Sequence, residues 1–254
     1  MTDLETALIG FAALDEDALS RPWTYRDDRM SVRYALYRTL EDAQEALVRV
    51  AAGTRPESRR ILAFAQRAFG GLRGLLVGLP SELLDQAPRA GEWSIRETFR
   101  HMLLVERRYA LQTRWAIERG DAEPVRIPDD RLPTAAQLDV SGEIGMLLGR
   151  LAEARAETNR WLGDVAPAAM TRPTVWVHYA IDVRFRLHRF AAHVVEHTVQ
   201  CEKILGALGY HQTEGRRIVR QIAAAIGELE GLGALAEVRD LEARLAERFA
   251  SVTV

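Results

Sequence analysis

Three histidines define the chemistry open to this sequence. His193 and His197 stand four residues apart in LHRFAAHVVEHTVQ, residues 187–200. In a helix that spacing puts the two imidazoles about 40° apart around the axis, on adjacent turns of one face. Phe190, Ile204 and Leu208 share the stripe, so the pair should look into a core rather than into water. A buried imidazole needs a hydrogen-bond partner or a metal ion, and two at this spacing can chelate one ion if a third ligand arrives from another element. His101 fits that role, on an earlier helix whose stripe it shares with Leu104, Val105, Leu111 and Trp115. Packing alone accounts poorly for three inward histidines on two core helices, since each neutral ring would want its own buried partner. The expected site is His101, His193 and His197 around one divalent ion, Zn or Ni, with positions left open to water or a substrate.

Other constellations fail on spacing. HVVEH carries its glutamate directly before the second histidine, unlike the HExxH of zinc proteases. A di-iron carboxylate bundle would need Glu-x-x-His pairs, which are missing, and no glycine-rich phosphate loop precedes a helix. Cys201, one turn past His197, reads as a small buried core residue rather than a fourth ligand. His188 lies about 140° away from His193 around the helix, and His178 and His211 fall in or beside loops, so none is assigned to the metal. Gln200, three residues past His197, and Glu97, four before His101, can each hold an imidazole or a bound water. Glu97 has a competing role, because it completes a capping box with Ser94. Glu106 and Glu196 read as solvated or salt-bridged, and Trp93 as an anchor that ties its loop into the core.

The elements that must position these residues are helical. Apolar residues recur at three- and four-residue spacing, while alternating strands between Asn-Gly turns are missing. The fold class is all-α. Helices are expected over about 3–14, 31–52, 56–77, 94–119, 141–162, 183–208, 213–229 and 234–250, with Pro-rich crossovers over 121–139 and 167–173. Residues 56–209 then supply four long helices joined by longer connections, a four-helix bundle flanked by an N-terminal arm (1–55) and a C-terminal arm (210–254). The chain has 254 residues and a formal net charge of −2, with no basic excess to suggest nucleic acid or an anionic membrane surface. One cysteine suits a reducing compartment, and no stretch approaches membrane-spanning length, so a cytoplasmic protein is expected.

GEWSIRETFRHMLLVERR, with a tryptophan-serine helix start, a helix histidine and a following acidic residue, and HRFAAHVVEHTVQ, with the later histidine pair, together resemble the DinB-like family of metal-binding four-helix bundles. The resemblance covers about residues 56–209. It implies metal ligation by His101, His193 and His197, and an activity akin to mycothiol-dependent maleylpyruvate isomerases and bacillithiol S-transferases, in which the metal activates a thiol or a water. A low-molecular-weight thiol would then join the metal as cofactor, with a small molecule as substrate. Two functions stay open: a thiol transferase or isomerase, or a non-catalytic module that binds a metal or small ligand. An open coordination position beside a pocket favours the enzyme, and a closed site favours the module.

The arms echo the bundle. VRYALYR (32–38) repeats VRFRLHR (183–189), and EGRRIVRQIAAAIGELEGL (214–232) repeats ESRRILAFAQRAFGGLRGL (57–75). If the echoes are structural, the two arms form a second, degenerate bundle, burying Leu36, Leu40 and Leu47 against Ile218, Ile222 and Ile226. That bundle should bind no metal, because Asp42 and Ala46 stand where His193 and His197 do. Otherwise each arm packs on the first bundle or on a second subunit, as in a homodimer.

Overall fold

The computed structural model describes residues 3–25, 27–51 and 53–252. The helices are α1 (Asp3–Ala13), α2 (Glu16–Ser20), α3 (Val32–Ala51), α4 (Glu57–Leu76), α5 (Ile95–Glu118), α6 (Ile144–Leu162), α7 (Val183–Ala207), α8 (Glu214–Gly231) and α9 (Leu235–Val252). Ala52, the expected end of the second long helix, lies outside the described residues. Two antiparallel hairpins accompany the helices: β1 (Pro22–Tyr25) with β2 (Asp28–Ser31), and β3 (Pro173–Trp176) with β4 (Tyr179–Asp182). Both occupy stretches expected to be loops.

Local chemistry sets the helix starts that matter for the site. At α5 the Ser94 side chain accepts from Glu97 N–H while the Glu97 carboxylate accepts from Ser94 N–H, the capping box. At α7 the Asp182 carboxylate accepts from Phe185 N–H, so the last residue of β4 turns the chain directly into the histidine helix.

Helices α4 to α7 form the first bundle. Phe69 and Leu72 of α4, Phe99 and Met102 of α5, Leu147 and Leu151 of α6, and Val194 and Ile204 of α7 meet in one part of its core. Ile61, Leu62, Tyr109, Leu162 and Phe190 fill another. Fully buried Arg155 is answered by Glu106 (2.8 Å), whose carboxylate also accepts from the Thr158 hydroxyl (2.6 Å). Removing either partner would leave an uncompensated charge in the core.

The arms pack on each other and make a second bundle from α1, α3, α8 and α9. Leu36 is buried with Ile218, Ile222 and Ile226, while Leu40 and Leu47 lie partly buried at the edge of that cluster. Each helix contact in the first bundle has a counterpart here: α4 with α7 as α8 with α3, α5 with α6 as α9 with α1, α5 with α7 as α9 with α3, and α4 with α6 as α8 with α1. Details repeat as well. Arg184 pairs with Glu57 as Arg33 pairs with Glu214, each at 2.6 Å. Both hairpins have the same register, and Val183 N–H donates to Arg172 O as Val32 N–H donates to Arg21 O.

Helices α4 and α8 join the two bundles through glycine contacts. A Cβ on Gly70 would lie 2.2 Å from Ala223 O, and one on Gly227 would lie 2.5 Å from Gln66 O. In the sequence echo Gly70 matches Gly227 and Gln66 matches Ala223. The contact is therefore returned by its own counterpart, as across a two-fold axis. Among the described residues no helix is long and apolar enough to cross a membrane.

Candidate metal centre

Helix α5 presents His101 and α7 presents His193 and His197, and the three rings converge. Nε2 of His193 stands 3.1 Å from Nε2 of His101 and 3.0 Å from Nε2 of His197. His193 and His197 are buried and His101 is half-buried. The buried face of α5 is Met102, Leu103, Glu106, Tyr109 and Ala110, so the expected His101 stripe, with Leu104 and Val105, lies along its edge. That edge position lets His101 reach the α7 pair while staying partly open.

The donor set fits one divalent ion. Nitrogens that share an ion at about 2.0–2.1 Å and roughly tetrahedral to right angles stand about 2.9–3.4 Å apart. Burial, with the neighbouring His197 and His101 rings adding to it, pushes His193 down to about 3. Burial and His197 likewise hold His101 below the ordinary histidine value. Both rings are therefore neutral at pH 7, the form that ligates. His197 Nδ1–H donates to Gln200 Oε1 at 2.7 Å. That bond fixes the tautomer and turns the lone pair of Nε2 toward the other two rings.

A cavity of about 680 Å³ opens beside His197, walled by Trp93, Gln200, Ile204 and Lys203, the one lysine of the chain. Trp93 departs from its expected role. It is 41% exposed, and its ring stands 5.1 Å from His101 and 6.5 Å from His197. The 77–94 connection carries it across the mouth of the site instead of into the core.

Of the remaining sequence candidates, Gln200 reaches the histidines and Glu97 is committed to the capping box. Cys201 is fully buried, and its thiol is pushed up to about 12 by burial, as suits an inert core residue. Glu106 is salt-bridged inside the core and Glu196 is exposed. Among the described residues His101, His193 and His197 are the group whose ligand atoms lie within metal-sharing range, and His178, His188 and His211 stand outside it.

Sequence reasoning passed over Tyr109. Its ring stands 5.8 Å from that of His193, and its hydroxyl accepts from Trp176 Nε1–H at 3.1 Å. The available signal was its place two turns beyond His101 on the same helix.

A family model described as the DinB superfamily matches residues 65–201, more than half of the chain, and spans all three histidines. The chain belongs to the DinB superfamily. Among solved structures, this DinB protein is similar to YfiT from Bacillus subtilis, described as a probable metal-dependent hydrolase with an unusual four-helix bundle topology. The identity is 13% and the TM-score 0.45, over 63% of this chain and 92% of that one. No curated protein matches the sequence.

Proposed function

We propose that this DinB protein is a metal-dependent enzyme in which Nε2 of His101, His193 and His197 hold one divalent ion, zinc or nickel. Its reaction is a transfer or isomerisation using a low-molecular-weight thiol, or the corresponding attack by water, on a small molecule seated in the cavity. The observation that carries this reading is the convergence of three imidazoles, one of which, His197, lines a 680 Å³ cavity. A purely structural ion is normally closed in by four protein ligands and needs no such space. When bound, a divalent ion supplies Lewis-acid charge that lowers the pKa of a coordinated thiol or water toward neutrality. The chain's residues do the rest: Gln200 orients His197, Trp93 covers the histidines, and Ile204 gives the cavity an apolar wall. A single buried cysteine suits the reducing cytoplasm in which thiol cofactors are kept reduced.

One observation favours the second reading, a metal- or ligand-binding module without catalysis. The carboxylates of α5 closest to His101, Glu97 and Glu106, are committed to the capping box and to Arg155, which leaves neither free as a general base. Metal-free protein titrated with Zn²⁺ and Ni²⁺, then with candidate thiols, separates the readings. The enzyme predicts one ion per chain, heat release on adding a thiol, and turnover that rises with pH. Unchanged turnover after metal removal, or a rate independent of pH, overturns it.

A further inference from the structure

Tyr109, whose ring stands 5.8 Å from that of His193, also lines a second cavity of about 240 Å³. This cavity lies between α5, the β3–β4 hairpin, the 119–143 crossover and the first turns of α7. Three arginines line it, Arg108, Arg126 and Arg186, and no described carboxylate does.

Arg186 is the informative one. It is 1% exposed, it donates to the carbonyl of Val175, and its guanidinium lies 4.8 Å from the centre of the Tyr109 ring. Its Nε has no partner among the described residues, and none of the described ion pairs includes it. Arg189, one turn on, lies over Trp176 with its own Nε unpartnered, and its positive charge works against that of Arg186. Burial is the larger influence and pushes Arg186 down to about 10.

Other buried arginines are answered to different degrees: the Arg119 guanidinium donates only to Pro173 O at 3.3 Å, and its Nε and that of Arg216 are unpartnered like that of Arg186, but neither residue lines this cavity. Arg155 has the Glu106 carboxylate, and Arg216 donates to two carbonyls at the C-terminal end of α4, Leu75 O and Val77 O. Arg186 has one carbonyl, the ring and hydroxyl of Tyr109 and a cavity, but no described carboxylate. A guanidinium taken from water without a counter-charge is costly, and the planar fork of arginine suits carboxylate and phosphate oxygens. Gln112 lines the same cavity with its Oε1 unpartnered, and an amide can present either end to a ligand's hydroxyl or to an anionic oxygen.

We propose that this cavity binds a small oxyanion, a phosphate or carboxylate group, which supplies the counter-charge that Arg186 lacks. The cavity, at about 240 Å³, has room for a phosphate or a short carboxylic acid. The site stands whether or not the histidines hold a metal, so it can be tested apart from the proposed enzyme activity.

The experiment is calorimetric titration of the purified protein, as isolated and after metal removal, with inorganic phosphate and separately with succinate, at constant ionic strength. Saturable binding of either probe at millimolar concentration or below, persisting without metal and raising the melting temperature, is the expected result. Phosphate alone or succinate alone identifies the group preferred. Arg186→Met should weaken binding by about tenfold or more, the loss expected for a charge-assisted contact. Arg126→Ala, at an exposed position on the rim, should weaken it severalfold, and it carries the test if Arg186→Met does not fold. Three results overturn the proposal: no saturable binding of either probe up to ~10 mM, well above the affinity expected of a paired guanidinium; binding that disappears with the metal, which places the anion on the ion instead; or unchanged binding in both variants, which leaves Arg186 as a clamp between α7 and the hairpin.

Discussion

His193 and Asp42 occupy matching positions in the two bundles and are buried to nearly the same extent, 7% and 5% exposed. Their surroundings differ completely. His193 meets two more imidazoles beside an open cavity. Asp42 accepts from Arg38 at 2.7 Å and from Arg248 at 2.6 Å, with Arg244 at 3.7 Å, and Ala46 stands where the first bundle has His197. Burial of a polar side chain therefore does not mark function at this position of the fold. The decisive point is where the answering groups come from. The arms supply them from within the chain and close the position. The central bundle leaves three imidazole nitrogens converging on one point, an arrangement that an outside cation can satisfy.

The largest expected effect comes from His193→Ala combined with His197→Ala. Elemental analysis should show the metal lost, and with it the stabilisation gained by binding only to the folded state, ~4 kcal/mol when free metal exceeds Kd about 1,000-fold. Full metal stoichiometry in this variant would remove the contrast between the bundles. Next, Asp42→Ala should strand the Arg38 and Arg248 guanidiniums and cost ~3 kcal/mol in a denaturant midpoint, equally with and without metal.

The same residue sets an acid limit. Burial opposes the charge of Asp42, but the hydrogen bonds from Arg248 and Arg38 prevail and hold its carboxyl below the usual range. A carboxyl depressed on folding stabilises above its unfolded value, about 3.9, and that stabilisation is lost as pH falls through and below it. Melting curves of the wild type should show this loss, and those of Asp42→Ala should lack that part of it.

Smaller effects test the pseudo-symmetry and the tautomer. Gly70→Ala and Gly227→Ala should each cost ~2 kcal/mol, since each new methyl meets a backbone carbonyl on the opposing helix. Markedly unequal costs would argue that the α4–α8 contact is not the self-matching one described. Gln200→Ala should weaken metal affinity by about tenfold, ~1.4 kcal/mol, by releasing the ring of His197. An unchanged affinity would mean that packing alone orients that ring.

The helices and the histidine cluster were legible because both depend on a period of 3.6 and on local caps. Ser94 with Glu97 located the start of α5, and four-residue spacing aimed His193 and His197 into one core. The second bundle was legible from two internal echoes. The hairpins were not: their strands are four residues long and their turns contain no glycine, with Asp27 and Val177 adopting positive φ in its place. Nor was the exposure of Trp93, which depends on the route of the whole 77–94 connection rather than on its neighbours in sequence. Arg186 gave no signal either, because one arginine in an arginine-rich chain looks like any other until its missing partner is seen.

The pairing of Arg33 with Glu214 spans 181 residues, and the helices that bear them are the halves of one core. On a ribosome adding about 5–20 residues per second, α3 emerges roughly 10–35 s before α8 exists to cover its apolar stripe. The central bundle, by contrast, is contiguous and can close while synthesis continues. During that interval α3 has to be shielded by the nascent first bundle or by a chaperone. An arrest of translation between α7 and α8 should thus leave a folded histidine centre attached to an aggregation-prone tail.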